Sequence, residues 1–262
     1  MQPQSFLELP NLELPIGPRP TPRSRVSRGS LGLCRIGIPL VAITLAILPS
    51  IARAHGVEEG DASFLQSQTG FHFWPYFYLG AKHMVTGYDH LLFLAGVVFF
   101  LYKPCDVATY VTLFALGHSL TLLAGVYFDI PANAYLIDAV IGFSVVYKAF
   151  ENIGGFQRIG IQIDSKTAVA VFGLFHGFGL ATKLQQLTLS EEGLLGNLLA
   201  FNLGVETGQL LALLFILSAV NLWRVTAKFG QQAVVANGLI MACGFGLILY
   251  QLTGYFVELP VN

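Results

Sequence analysis

The sequence predicts an all-α membrane protein, a polytopic bundle of six transmembrane helices behind an N-terminal signal peptide. Three observations predict it. Of 262 residues, 54% are hydrophobic and only 11% are charged, with mean hydropathy +0.65. A soluble domain carries roughly 25% charged residues, so this chain cannot cover a soluble surface. Second, six apolar segments each approach the ~20 residues that a helix needs to cross a bilayer. They lie at 82–102, 107–128, 134–152, 167–187, 195–222 and 232–253. Third, the connections KPCD (103–106), FDIPAN (128–133), GGFQRIGIQIDSK (154–166) and LTLSEEG (187–193) hold the turn residues and most of the charge.

Taken in order, residues 1–54 read as an unstructured Pro-, Ser- and Arg-rich lead followed by a signal peptide. Its apolar run ends in Ala52-Arg53-Ala54, a small-x-small pattern that predicts cleavage after Ala54. The rival reading is an uncleaved first span. Residues 55–81 form an extracytoplasmic segment: an acidic stretch beginning at His55, then the aromatic run FHFWPYFYLG (71–80). That run suits an interfacial belt or a half-buried lead-in helix, with His72 as a belt residue. The six-helix domain follows at 82–253, and residues 254–262 are a short extracytoplasmic tail. Lys103, Arg158, Lys166, Arg224 and Lys228 all fall in alternate connections, which places those loops inside and both mature termini outside. Lys183 is the exception to this bias.

Several function classes drop out. There is no basic stripe, so nucleic acid is not an expected partner. Cys34, Cys105 and Cys243 have neither zinc-finger nor disulfide-framework spacing. No P-loop is present, so any energy for transport comes from a gradient or a partner.

The chemistry lies in the ionisable groups inside the apolar segments, which are expensive there and therefore functional candidates. GAKHMVTGYDH (80–90) carries His83, Asp89 and His90 at the head of the first span. The two histidines share a helix face but stand about 10.5 Å apart along a regular helix axis. That is long for two ligands of one ion. Either the helix breaks near Gly80 or Gly87, or the histidines are successive stations. Asp89 points to a neighbouring helix or fixes an imidazole. The second span offers His118 and Ser119 in GHSLT. The fourth offers His176, flanked by Gly173 and Gly177, whose spacing admits a close partner helix. In the fifth, Asn202, Glu206 and Gln209 share one face. The third holds Asp138 near its outer end, with Lys148 and Glu151 one turn apart near its inner end, a pairing that reads as a local ion pair. One such histidine reads as polar glue between helices. The whole set reads better as a path or centre for ions, with His83, Asp89, His90, His118, His176 and Glu206 as metal ligands and Ser119, Asn202, Gln209 and Asp138 in support. Imidazole with carboxylate suits borderline divalent metals, Ni²⁺, Co²⁺ or Zn²⁺.

The pattern His83-x5-Asp89-His90, behind a signal ending just before a histidine, resembles the HupE/UreJ family of membrane proteins. FHG at 175–177, GHSLT at 117–121 and FNLGVETGQ at 201–209 are similar to the branch lacking the longest histidine-rich signature. The similarity covers about residues 70–215. It implies a multi-pass protein of a bacterial inner membrane, linked to nickel or cobalt uptake, with His83, Asp89, His90 and His176 handling metal. One departure stands out. The better-known second motif runs F-H-G-x-A/V-H-G-x-E, and here Gly179, Leu180, Ala181 and Lys183 replace its A/V, His, Gly and Glu. Glu206 is the candidate to supply the missing carboxylate.

Three functions follow as expectations. The first, a permease or binding protein for a divalent transition metal, makes the chain a transporter rather than an enzyme. The second is an intramembrane zinc hydrolase, which needs three ligands on one ion and an open position. The third is a non-transporting assembly or metallochaperone subunit of a membrane complex. The lipid bilayer and the metal ion are the expected partners, with a second copy of the chain or a membrane complex as further candidates.

Overall fold

The structure, a computed structural model, describes residue 67, residues 69–187 and residues 190–258. The signal peptide, its cleavage point, His55 and the last four residues lie outside the described residues.

The described residues are helical, with no strand among them. The helices are α1 (Phe73–Thr86), α2 (Tyr88–Val98), α3 (Pro104–Tyr127), α4 (Ala134–Asn152), the single turn α5 (Gly155–Arg158), α6 (Ser165–Gln185), α7 (Leu194–Arg224) and α8 (Phe229–Glu258). Four of them, α3, α6, α7 and α8, are long and apolar enough to cross a membrane. The other two expected spans differ from that description for separate reasons. Asp138, Lys148 and Glu151 all lie within the 19 residues of α4. The first span is divided at Gly87 into α1 and α2. α1 runs through residues 81 and 82, the expected junction of the lead-in with the first span. Likewise α8 continues into the expected tail, to Glu258.

Local sequence fixes the ends. Pro104 opens α3, where a missing N–H costs nothing. Asn133 caps α4 by accepting from the Leu136 N–H. Asp164 caps α6, accepting from the Thr167 N–H at 2.9 Å and its hydroxyl at 2.6 Å, and these bonds hold its carboxyl below the usual carboxylate range. Gly154 and Gly193 take the left-handed conformation before α5 and α7.

The bundle is built from three helix pairs. Phe77 lies against Gly204 and Ala81 against Gly208, so α1 and α7 run parallel. At their shared end, Asn197 accepts from the His72 N–H and donates to the Gly70 carbonyl. Gly173 meets the Phe114 backbone and Gly177 meets the His118 carbonyl, so α3 and α6 are parallel too. The Thr121 hydroxyl donates to the Leu174 carbonyl at 2.6 Å across that seam. Gly142 packs on Ile248, Gly244 on Val146 and Gly254 on Tyr135, so α4 and α8 are antiparallel. Small residues let backbones touch where no hydrophobic force drives helices together, which is the membrane mode of packing.

Polar bonds tie the pairs to one another. Asn152 donates to the Gly96 carbonyl at 2.8 Å and to Asn237 at 2.9 Å, joining α4 to α2 and α8. Arg224 closes the far end of α2, donating to the carbonyls of Val98 and Phe99 at 2.7 Å each while stacking over Tyr102. The outer faces are apolar, with Leu210, Leu211, Leu214 and Phe215 of α7 all exposed. Large apolar side chains exposed together on one helix suit hydrocarbon better than water.

Candidate metal centre

Gly87 determines the site. It closes α1 through its N–H on the His83 carbonyl at 2.8 Å and opens α2 with extended backbone. The change of direction folds the two histidines toward each other. Their ring centroids lie 5.1 Å apart, where a regular helix would hold the residues about twice as far apart along its axis. The break that the glycines permit is therefore present, and it lies at Gly87 rather than Gly80.

His90 is the hub. Its ring stands edge-to-face with His83 of α1, with His118 of α3 at 5.8 Å and with His176 of α6 at 5.0 Å. Four helices thus deliver one imidazole each. His118 and His176 come together because α3 and α6 touch at Gly177, one residue from His176, against the His118 carbonyl. Phe93 and Phe114 lie beside His176, at 5.1 and 5.0 Å, and make one wall apolar.

Hydrogen bonds assign the tautomers. A carboxylate only accepts, so His90 Nδ1–H donates to Asp89 at 2.9 Å. The same carboxylate oxygen accepts the His90 backbone N–H and sits in the first turn of α2, where the helix dipole favours an anion. His176 Nδ1–H donates to the Phe172 carbonyl at 2.8 Å. In both rings the lone pair is then on Nε2. Nε2 of His90, and both ring nitrogens of His118, are buried with no hydrogen-bond partner. Leaving a buried polar atom unsatisfied costs about 1–3 kcal/mol.

The remaining candidates divide. Asp138 and Lys183 join His83, Asp89, His90 and His176 around a cavity of about 10 Å³, room for roughly one water. Glu206 is half-buried and accepts from Asn202 at 3.2 Å and from Ser119 at 3.4 Å, so it bridges α7 to the residue after His118. Gln209, 2% exposed, donates instead to the Val111 carbonyl and takes no part in the cluster. Lys148 pairs with Glu151 at 2.7 Å, the expected local ion pair, shared with Ser165. His72 donates its Nε2–H to the Thr69 carbonyl at 2.9 Å, at the end of the bundle. A larger cleft of about 340 Å³ between α3 and α7 is lined mainly by apolar side chains such as Val111, Leu210 and Leu213, and offers no comparable donor set.

The pairing of Lys183 with Asp138, at 2.9 Å, is the site feature that sequence reasoning missed. The signal was present: two opposite charges, Asp138 near the start of its helix and Lys183 near the end of the following span, the latter being the exception to the loop-charge bias. Among the described residues, no three His, Cys, Asp or Glu side chains stand as ready ligands of one ion. The cluster is a gathering of imidazoles rather than a closed coordination cage.

A family model described as HupE / UreJ protein matches residues 59–259. The chain belongs to the HupE/UreJ family. That family is associated with nickel or cobalt transport or with urease and hydrogenase maturation. No curated protein and no solved structure matches the chain. The matched region of this HupE/UreJ protein contains every helix described above, and its apolar helices make it a membrane protein.

Proposed function

We propose that this HupE/UreJ protein is a membrane permease for a divalent transition metal, nickel or cobalt. The observation that supports this most is the convergence of His83, His90, His118 and His176 from four helices, with imidazole nitrogens of His90 and His118 left without hydrogen-bond partners. Such nitrogens are costly in an apolar bundle unless something binds them. Imidazole is a ligand of the right softness for these ions. Asp89, by accepting from Nδ1, fixes the His90 ring and makes Nε2 a stronger donor.

The ion is the cargo. His83 and His90 take it up, and His118 and His176 accept it by exchange of one imidazole for another. Small side-chain rotations suffice, because neighbouring rings are already 5.0–5.8 Å apart around His90. A loose set of this kind suits passage better than a fixed catalytic ion, which needs three ligands held together. Asp89 and Glu206 offset the positive charge. In this reading α1–α2 and α4 also cross the bilayer, giving six crossings in a bacterial inner membrane with both mature termini outside.

The test is uptake of radiolabelled Ni²⁺ or Co²⁺ by proteoliposomes. Wild type takes up the ion, and His90→Ala and His176→Ala each reduce uptake by about tenfold or more. Absence of uptake together with one tightly held Zn²⁺ per chain overturns the permease in favour of an enzyme. Uptake unchanged by both substitutions overturns the site.

A further inference from the structure

Asp138 and Lys183 bring a second kind of chemistry to the histidine cavity. The Asp138 side chain is 4% exposed and the Lys183 side chain 16%, and the pair closes at 2.9 Å. Gln251 of α8 donates to the same carboxylate oxygen at 3.3 Å. Both charged groups line the cavity together with His83, Asp89, His90 and His176. Asp138 sits one turn into α4 and Lys183 in the last turn of α6. The pair is therefore toward one end of the bundle, displaced from His118 and His176, which are central in their helices.

A buried ion pair is a poor way to stabilise a bundle, because desolvation offsets the attraction between the charges. In hydrocarbon the cost is higher still. A pair that is partly accessible, and whose anion faces a cluster of metal-binding side chains, has another use. We propose that the Lys183 ammonium is a built-in competitor for the incoming cation. It holds Asp138 until a divalent ion arrives, and the ion displaces it, so that Asp138 becomes a temporary ligand at the entrance to the histidines. No bond is made or broken beyond ligation: one cation replaces another on the same carboxylate. Lys183 swings toward solvent through its flexible stem, the side of the pair already more exposed. The ammonium thereby keeps monovalent ions and adventitious weak binders off the carboxylate, and lowers the affinity enough for release. This rests on the permease reading and assigns its gate.

The experiment titrates Co²⁺ into purified protein in nanodiscs, followed by the visible absorption of bound cobalt and by infrared difference bands of carboxylates. Lys183→Met tightens Co²⁺ binding by about tenfold, because a like charge beside the site is gone. Lys183→Arg stays near wild type. Asp138→Asn weakens binding and removes a cobalt-induced carboxylate band seen in wild type. In the Asp138→Asn background, Lys183→Met no longer tightens binding. A merely structural pair predicts the reverse, loss of stability with no gain in affinity. Unchanged or weaker binding in a folded Lys183→Met protein overturns the gate. If that variant does not fold, a carboxylate band that persists in Asp138→Asn overturns it instead. Failure of wild type to bind Co²⁺ at all overturns the permease reading, and the gate with it.

Discussion

Gly87 is needed for room rather than for rotation. Its φ of −71° suits any residue. A Cβ there, however, would sit 2.9 Å from both the His83 carbonyl and His90 Nδ1, and 3.2 Å from the Asp89 carboxylate. The atoms it would displace are the ones that orient the hub imidazole. Gly87→Ala is expected to leave the helix pairs folded and to weaken Co²⁺ binding by about tenfold, read by cobalt titration against a thermal melt. Affinity equal to wild type would show that crowding does not set the His90 ring. At this scale the sequence is informative about identity and poor about distance. His83, Asp89, His90, His118 and His176 are conspicuous because ionisable residues in apolar runs are rare. The 5.1 Å approach of His83 to His90 depends on the backbone angles of one residue, which no periodicity encodes. The Lys183–Asp138 contact depends on the relative level of two helices, which hydropathy does not fix.

Helix positions follow hydropathy closely, and their departures have a common cause. The third expected span coincides with α4, Ala134–Asn152. Others begin or end a few residues beyond the apolar run, as α8 does at Phe229 and Glu258. Hydropathy marks the hydrocarbon, whereas helical hydrogen bonding continues into the polar layer beyond it. Which helix packs on which is less legible. Gly173 and Gly177 announce a close approach, but nothing in their spacing names α3 as the partner. The contact itself is unforgiving: a Cβ at Gly177 would overlap the His118 carbonyl oxygen, and backbone does not yield as a side chain does. Gly177→Val should therefore destabilise the bundle by about 1–3 kcal/mol, measured by thermal unfolding in detergent. Gly246→Ala, at a position with nothing within 4 Å, is the matched control and should be neutral. Equal melting of the two variants would argue against the α3–α6 seam as a structural contact.

For the molecule as a whole, orientation is the property the loop charges address and the helices alone do not. The proposed topology puts the start of α3 on the cytoplasmic side. Cys105, free and exposed there, is a natural reporter, while Cys243 in α8 is only partly accessible. With Cys34 and Cys243 replaced by serine, a membrane-impermeant maleimide is expected to label Cys105 in inside-out vesicles and not in right-side-out ones. Labelling in the opposite preparation would reverse the topology and the direction of transport with it.

The three helix pairs also bear on how the chain is made. Each joins segments distant in sequence: Phe77 meets Gly204, Phe114 meets Gly173, and Tyr135 meets Gly254. No helix finds its mate in the next one synthesised. At about 5–20 residues per second, α1 waits on the order of ten seconds in the bilayer before α7 emerges to receive it. For most of that interval His83, Asp89 and His90 have no complete pocket to enter, because His176 and Lys183 of α6 are made shortly before α7. A chain whose synthesis stops before α6 is made would leave these polar groups stranded in lipid, and such a chain is the natural prey of membrane quality-control proteases. The same side chains proposed to carry the metal in the finished protein would then mark the unfinished one for removal.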